Sequence, residues 1–211
     1  SNPRELLIGD ACRLDNPLTG ELDDVRIYKS VLSMHQVAAL SKSVKPAMAK
    51  APQPLVRTKS ASAALVAAPE RAPRLFKTPM LMAHWPLDEK SGTSVKEVVG
   101  SHHGELTNAD VATAWVDGKA DGALLLDGAD DRIFVPHDLA FDFSKESFTV
   151  ATWMRWAKGA KPHSQHIITK GDYHSTAPDQ TGKRWEIFVS GADAMSFTID
   201  DNVEASRIVV A

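Results

Sequence analysis

The chain has one cysteine, Cys12, in 211 residues. That excludes an intrachain disulfide framework and any zinc or iron–sulfur centre built on several cysteines. It has no run of eighteen apolar residues, which excludes a helical membrane span. Neither sign of charge dominates. Twenty-four Lys and Arg face 27 Asp and Glu, so the net charge of −3 gives no whole-chain signal for nucleic acid. Familiar catalytic signatures are missing too: there is no Gly-x-Ser-x-Gly elbow, P-loop, His-Glu-x-x-His or Gly-x-Gly-x-x-Gly. What remains, 43% hydrophobic and 24% charged, is an ordinary globular composition. The chain begins at Ser1 without a methionine or a charged-then-apolar leader. It therefore reads as a processed product or a piece of a longer protein, and a missing signal peptide says nothing about localisation.

The sharpest compositional boundary encloses residues 44–79. These 36 residues hold six of the twelve prolines and nine alanines, with seven Lys or Arg against the single acid Glu70. The segment is thus +6 and leaves −9 for the rest of the chain. Proline removes backbone donors and disfavours helix in the residue before it, and alanine buries too little area to offset the cost of ordering. The expectation is an extended, disordered linker. The alternative is a polycation that docks on an acidic polymer.

Before the linker, Glu5–Ile8 reads as a short buried strand ended by Gly9-Asp10. In Glu21–Tyr28, period two places Leu22, Asp24, Arg26 and Tyr28 on one face and Asp23, Val25 and Ile27 on the other. Ser33 followed three residues on by Gln36 forms a capping box that opens a short helix. After the linker come strand patterns separated by Gly, Asp and Asn turns, at 81–87, 122–126, 132–135, 148–156, 166–170, 185–189, 195–199 and 207–210. This predicts an all-β chain, a two-sheet antiparallel sandwich or jelly roll.

Several stretches resemble one family. Ala83-His84-Trp85-Pro86-Leu87-Asp88-Glu89, Ser91-Gly92 and His103-Gly104-Glu105-Leu106 look like the opening of a laminin-G-like, concanavalin A-like lectin/glucanase jelly roll. So do Trp115, Gly122–Gly128, Ile133-Phe134-Val135 and Ser147–Trp153. Leu7–Asp10, Gly20–Tyr28 and Leu32-Ser33 resemble the end of the same domain. The order is inverted, because the closing part (1–43) precedes the linker (44–79) and the opening part (80–211). The family's middle strands, on the order of 40 residues by usual strand and turn lengths, are missing. The resemblance therefore implies an incomplete jelly roll, the tail of one repeat followed by the head of the next, with circular permutation as the rival. If the closing strands dock on the opening ones, residues 20–28 meet 83–88 and Asp23 approaches Asp88. The expected core is Trp85, Leu124, Leu126, Phe148, Val150 and Trp153, with Trp153 matching the family's core tryptophan.

The glucanase relatives carry Glu-x-Asp-x-x-Glu on one strand, which suits retaining hydrolysis. Here Glu21-Leu22-Asp23 lacks the third carboxylate, because Arg26 stands in its place. No enzyme is expected in this chain. Cys12 reads as a buried or edge thiol. His163 and His166, with Asp172 and His174 nearby, could be a transition-metal pair, but the spacing fixes no common face and favours plain loop residues, as for His102-His103. Calcium is a better prospect. Asp23, if inward-facing, needs a cation or backbone donors, and the resemblance implies a structural calcium shared by Asp23 and Asp88. For a sugar, which stacks on indole, Trp156 and Trp185 are the candidate platforms.

The resulting expectation is a non-catalytic module for carbohydrate binding or adhesion in a larger secreted or cell-surface protein, with a glycan or extracellular protein as ligand. An accessory domain of a glycoside-active enzyme, its catalytic domain lying elsewhere, is the alternative. A structural spacer array is the third.

Overall fold

The computed structural model describes residues 5–11, 16–42, 80–143, 146–157, 163–171, 184–192, 194–200 and 208–210. The expectations for Cys12, the linker 44–79, Asp172 and His174 lie outside these residues. Two antiparallel sheets form a β-sandwich, so the fold class read from strand periodicity holds.

The order along the chain is β1 (Leu6–Ile8), β2 (Thr19–Tyr28), α1 (Met34–Lys42), β3 (Leu81–Trp85), β4 (Ser94–Val95), β5 (Gly104–Thr107), β6 (Trp115–Asp117), β7 (Gly122–Asp127) and β8 (Arg132–Val135). Then follow a 3₁₀ turn at Leu139–Phe141, β9 (Thr149–Trp156), β10 (Gln165–Gly171), β11 (Arg184–Val189), β12 (Met195–Asp200) and β13 (Ile208–Val210). Sheet A runs β13-β12-β11-β10-β1-β8-β5-β4. Sheet B is organised around β2. One edge of β2 takes β9, and the other takes β7 along Thr19–Leu22 and β3 along Val25–Tyr28. β6 completes the sheet beside β7.

The two sequence blocks therefore share both sheets. β1 lies between β8 and β10, with Leu7 opposite Phe134 and Thr169. In β2, Val25 pairs with Trp85 and Ile27 with Ala83. The expected meeting of 20–28 with 83–88 is present, closed off by a bond from the Asp24 amide to the Pro86 carbonyl. The apolar side chains of the two blocks explain why they stay together. Leu6, Ile8, Leu22, Val25 and Ile27 are buried in the same core as Trp85, Leu124, Leu126 and Ile133.

Two details depart from simple alternation. Leu22, Val25 and Ile27 all face the core, because the register of β2 slips between Asp23 and Arg26 and Asp24 takes φ 59°. This bulge inserts an extra residue and reverses the phase, so the period-two faces read for β2 hold only on one side of it. In β9, Val150, Met154 and Trp156 pack against the core, and Phe148 just before it does so too. Trp153, half-buried, falls on the opposite face, with the Lys119 ammonium 5.7 Å from its ring centroid. The expectation that Trp153 is core is corrected: a strand cannot send neighbours in its alternation to the same side. The capping box forms as read, with the Ser33 amide donating to Gln36 Oε1 and the Gln36 amide to Ser33 Oγ.

Candidate functional site

The bulge positions the first polar cluster. Asp24 accepts from His84 Nε2 at 2.6 Å and from Arg26 Nε at 3.0 Å, and pairs with Arg26 Nη2 at 2.9 Å. Left-handed backbone at a non-glycine residue carries strain. Here the contacts of its carboxylate with His84 and Arg26 hold it. Next to it, Asp23 Oδ2 accepts the Ala120 amide at 2.8 Å, and Asp88 Oδ1 accepts the Gly122 amide at 2.9 Å. The two carboxylates converge on one tight loop, 118–122, and cap its amides. Among the described residues they belong to no set of three metal-ligating groups.

One such set does occur. Asp127, Asp130 and Asp131 bring carboxylate oxygens within 4.8 Å of one another at the turn between β7 and β8. The local hydrogen bonds explain how that turn folds: Asp127 Oδ1 accepts the Ala129 amide and Asp131 Oδ2 accepts the Asp127 amide. Burial, together with the charges of Asp127 and Asp130, pushes the Asp131 carboxyl above its ordinary range, against the pull of the Asp127 amide. A hard cation would relieve that repulsion with oxygen ligands.

Beside this turn is a concavity of about 510 Å³. Ala114, Leu125 and Trp156 line it together with Thr19, Glu21, Thr113, Asp127, Asp131 and Arg155. Arg155 and Glu21 face each other across β9 and β2 in a two-pronged ion pair. Trp156 is half-buried here and also lines a second groove along β9.

Trp185 is elsewhere. It is 5% exposed, its indole donates to the Phe141 carbonyl at 3.0 Å, and it packs against Phe143 and Phe148. That position gives it to the core and offers no ring face to a ligand. The histidines also differ from the loop reading. His166 lies in β10, buried, with Nε2 3.3 Å from Glu186, which Arg184 flanks at 3.4 Å. His163 is exposed and joins no such cluster. The turn at Asp127-Gly128 is legible in the sequence, but the convergence of Asp127 with Asp130 and Asp131 is not. The resemblance points to Asp23 and Asp88, which here accept amides of the 118–122 loop.

No family model, no curated protein and no solved structure matches this chain.

Proposed function

We propose that the protein is a non-catalytic binding module for a glycan, carried in a secreted or cell-surface protein and assisted by calcium. The observation that carries this reading is the concavity lined by Trp156 together with hydroxyl-, carboxylate- and guanidinium-bearing side chains. An indole face receives the apolar side of a pyranose ring, and the polar side chains offer both donors and acceptors to its hydroxyls. Calcium belongs at Asp127, Asp130 and Asp131, where three carboxylates meet. Asp23 and Asp88 cap loop amides and, among the described residues, join no third ligating group. The resemblance to laminin-G-like domains supports the same class of function.

Hydrolysis is not part of the proposal. Asp127 and Asp131 sit on one turn and each spends an oxygen on its backbone. Retaining chemistry needs a nucleophile and an acid on opposite sides of a bound sugar, about 5 Å apart. The test is a glycan array followed by titration with and without calcium. Trp156→Ala should abolish binding, and Asp130→Asn should weaken it and remove its calcium dependence. Release of reducing sugar that disappears with Asp131→Asn would refute the proposal.

A further inference from the structure

Sheet B stops at β9, whereas sheet A continues past it. β9 pairs with β2 on one edge, and among the described residues nothing pairs with the other. Across from it, Ile187 of β11 and Phe197 of β12 point toward the core and stay only partly buried. The opening is a groove of about 510 Å³ walled by Val150 and Met154 of β9, Ile187 and Met195 of sheet A, and Val37 and Leu40 of α1. Val37 is 45% exposed and Met195 46%, and α1 buries none of its residues.

An unpaired strand edge is a template for another strand, and proteins commonly blunt such edges with lysine or proline. β9 contains neither, and its one charge, Arg155, is paired with Glu21 on the neighbouring strand. Its unblunted edge is eight residues long and bordered by apolar walls on both sides.

We propose that this groove docks an extended, uncharged polypeptide segment of a partner protein, which joins sheet B as the strand next to β9. The backbone edge requires a strand, since a lipid or a compact small molecule would leave its amides and carbonyls unmet. At the usual spacing of about 4.8 Å from β9, that strand covers the overhang left by β11 and β12. Charge selects the occupant. The charged residues at the wall, Asp24 and Arg26, neutralise each other beside His84, so nothing there compensates a charged segment. Trp156 adds a buried indole N–H that meets no acceptor among the described residues. The groove shares Trp156 with the glycan concavity, but its strand edge and apolar walls do not depend on that site.

The test uses the whole chain and a short labelled peptide of alternating threonine and valine. Binding is read by fluorescence anisotropy, and its location by hydrogen exchange at residues 149–156. Saturable binding is expected, with exchange in β9 slowed about tenfold or more and affinity about tenfold weaker for the same peptide with a central proline. Ala151→Lys at the edge and Met195→Asp at the wall should each weaken binding to a similar degree while leaving circular dichroism unchanged. No binding at millimolar peptide overturns the proposal, as does equal affinity for the proline peptide. Exchange in β9 that slows with protein concentration alone also overturns it, because a second copy is then the occupant.

Discussion

At the scale of single residues, Glu97 shows how a buried charge becomes a structural centre. Its carboxylate accepts the amides of His84, Val99 and Gly100 at 2.6–2.9 Å and that of His102 at 3.4 Å. Burial pushes its pKa up, but the four backbone donors outweigh burial and hold it below the ordinary glutamate value of 4.5. A depressed folded pKa means stability that is complete above the ordinary value and lost as pH falls through the folded one. Glu97→Gln should therefore flatten the acid limb of a stability-versus-pH curve measured by urea denaturation. Glu97→Ala, which orphans those amides, should cost about 3 kcal/mol at neutral pH. Asp131 is shifted the other way, so if the proposed calcium site forms there, its affinity should fall at a pH above that of an ordinary aspartate site. Calorimetric titration between pH 7 and 4 checks this.

Between elements, β2 does the most work, and its two unusual backbone positions are testable. Gly20 has φ 153°, and a β-carbon there would collide with the Arg155 carbonyl of β9. Gly20→Ala should cost about 2 kcal/mol or more, because backbone cannot yield as a side chain does. At Asp24, both Asp24→Ala and Asp24→Gly remove the pairs with His84 and Arg26, but only glycine tolerates φ 59° without strain. The alanine variant should be the less stable by about 1 kcal/mol in chemical melts. Equal stabilities would show that the bulge relaxes. The same element-level logic separates the tryptophans: Trp85→Ala should cost about 3–5 kcal/mol, and Trp153→Ala, on the outer face, distinctly less.

For the whole molecule, the decisive feature is that residues 5–42 provide an interior strand of sheet A and the hub of sheet B. Association here depends on shared hydrogen-bond ladders and a common core, and covalent continuity adds little to it. A chain cut once between residues 42 and 80 should still elute from gel filtration as one species in native buffer. It should separate only in denaturant. Pieces that part without denaturant would contradict the shared sheets.

The sequence by itself determined the longer strands, their turns and the helix cap, because those follow from spacing along a short stretch of chain, whereas the short strands β4, β5 and β6 carry no such pattern. The alternation of Leu124 and Leu126 with exposed Leu125 was legible for that reason. So was the meeting of Val25 and Ile27 with Trp85, once the two blocks resembled parts of one domain. Only the tertiary structure decided the phase of β2 beyond Asp23, since a bulge depends on what the neighbouring strands and His84 demand. It alone sent Trp153 outward and Trp185 into an aromatic core with Phe143 and Phe148, although both tryptophans look alike in sequence. The concavity at Trp156 also escaped the sequence, because its walls come from β2, β7, β9 and the turn after β7, brought together only by folding.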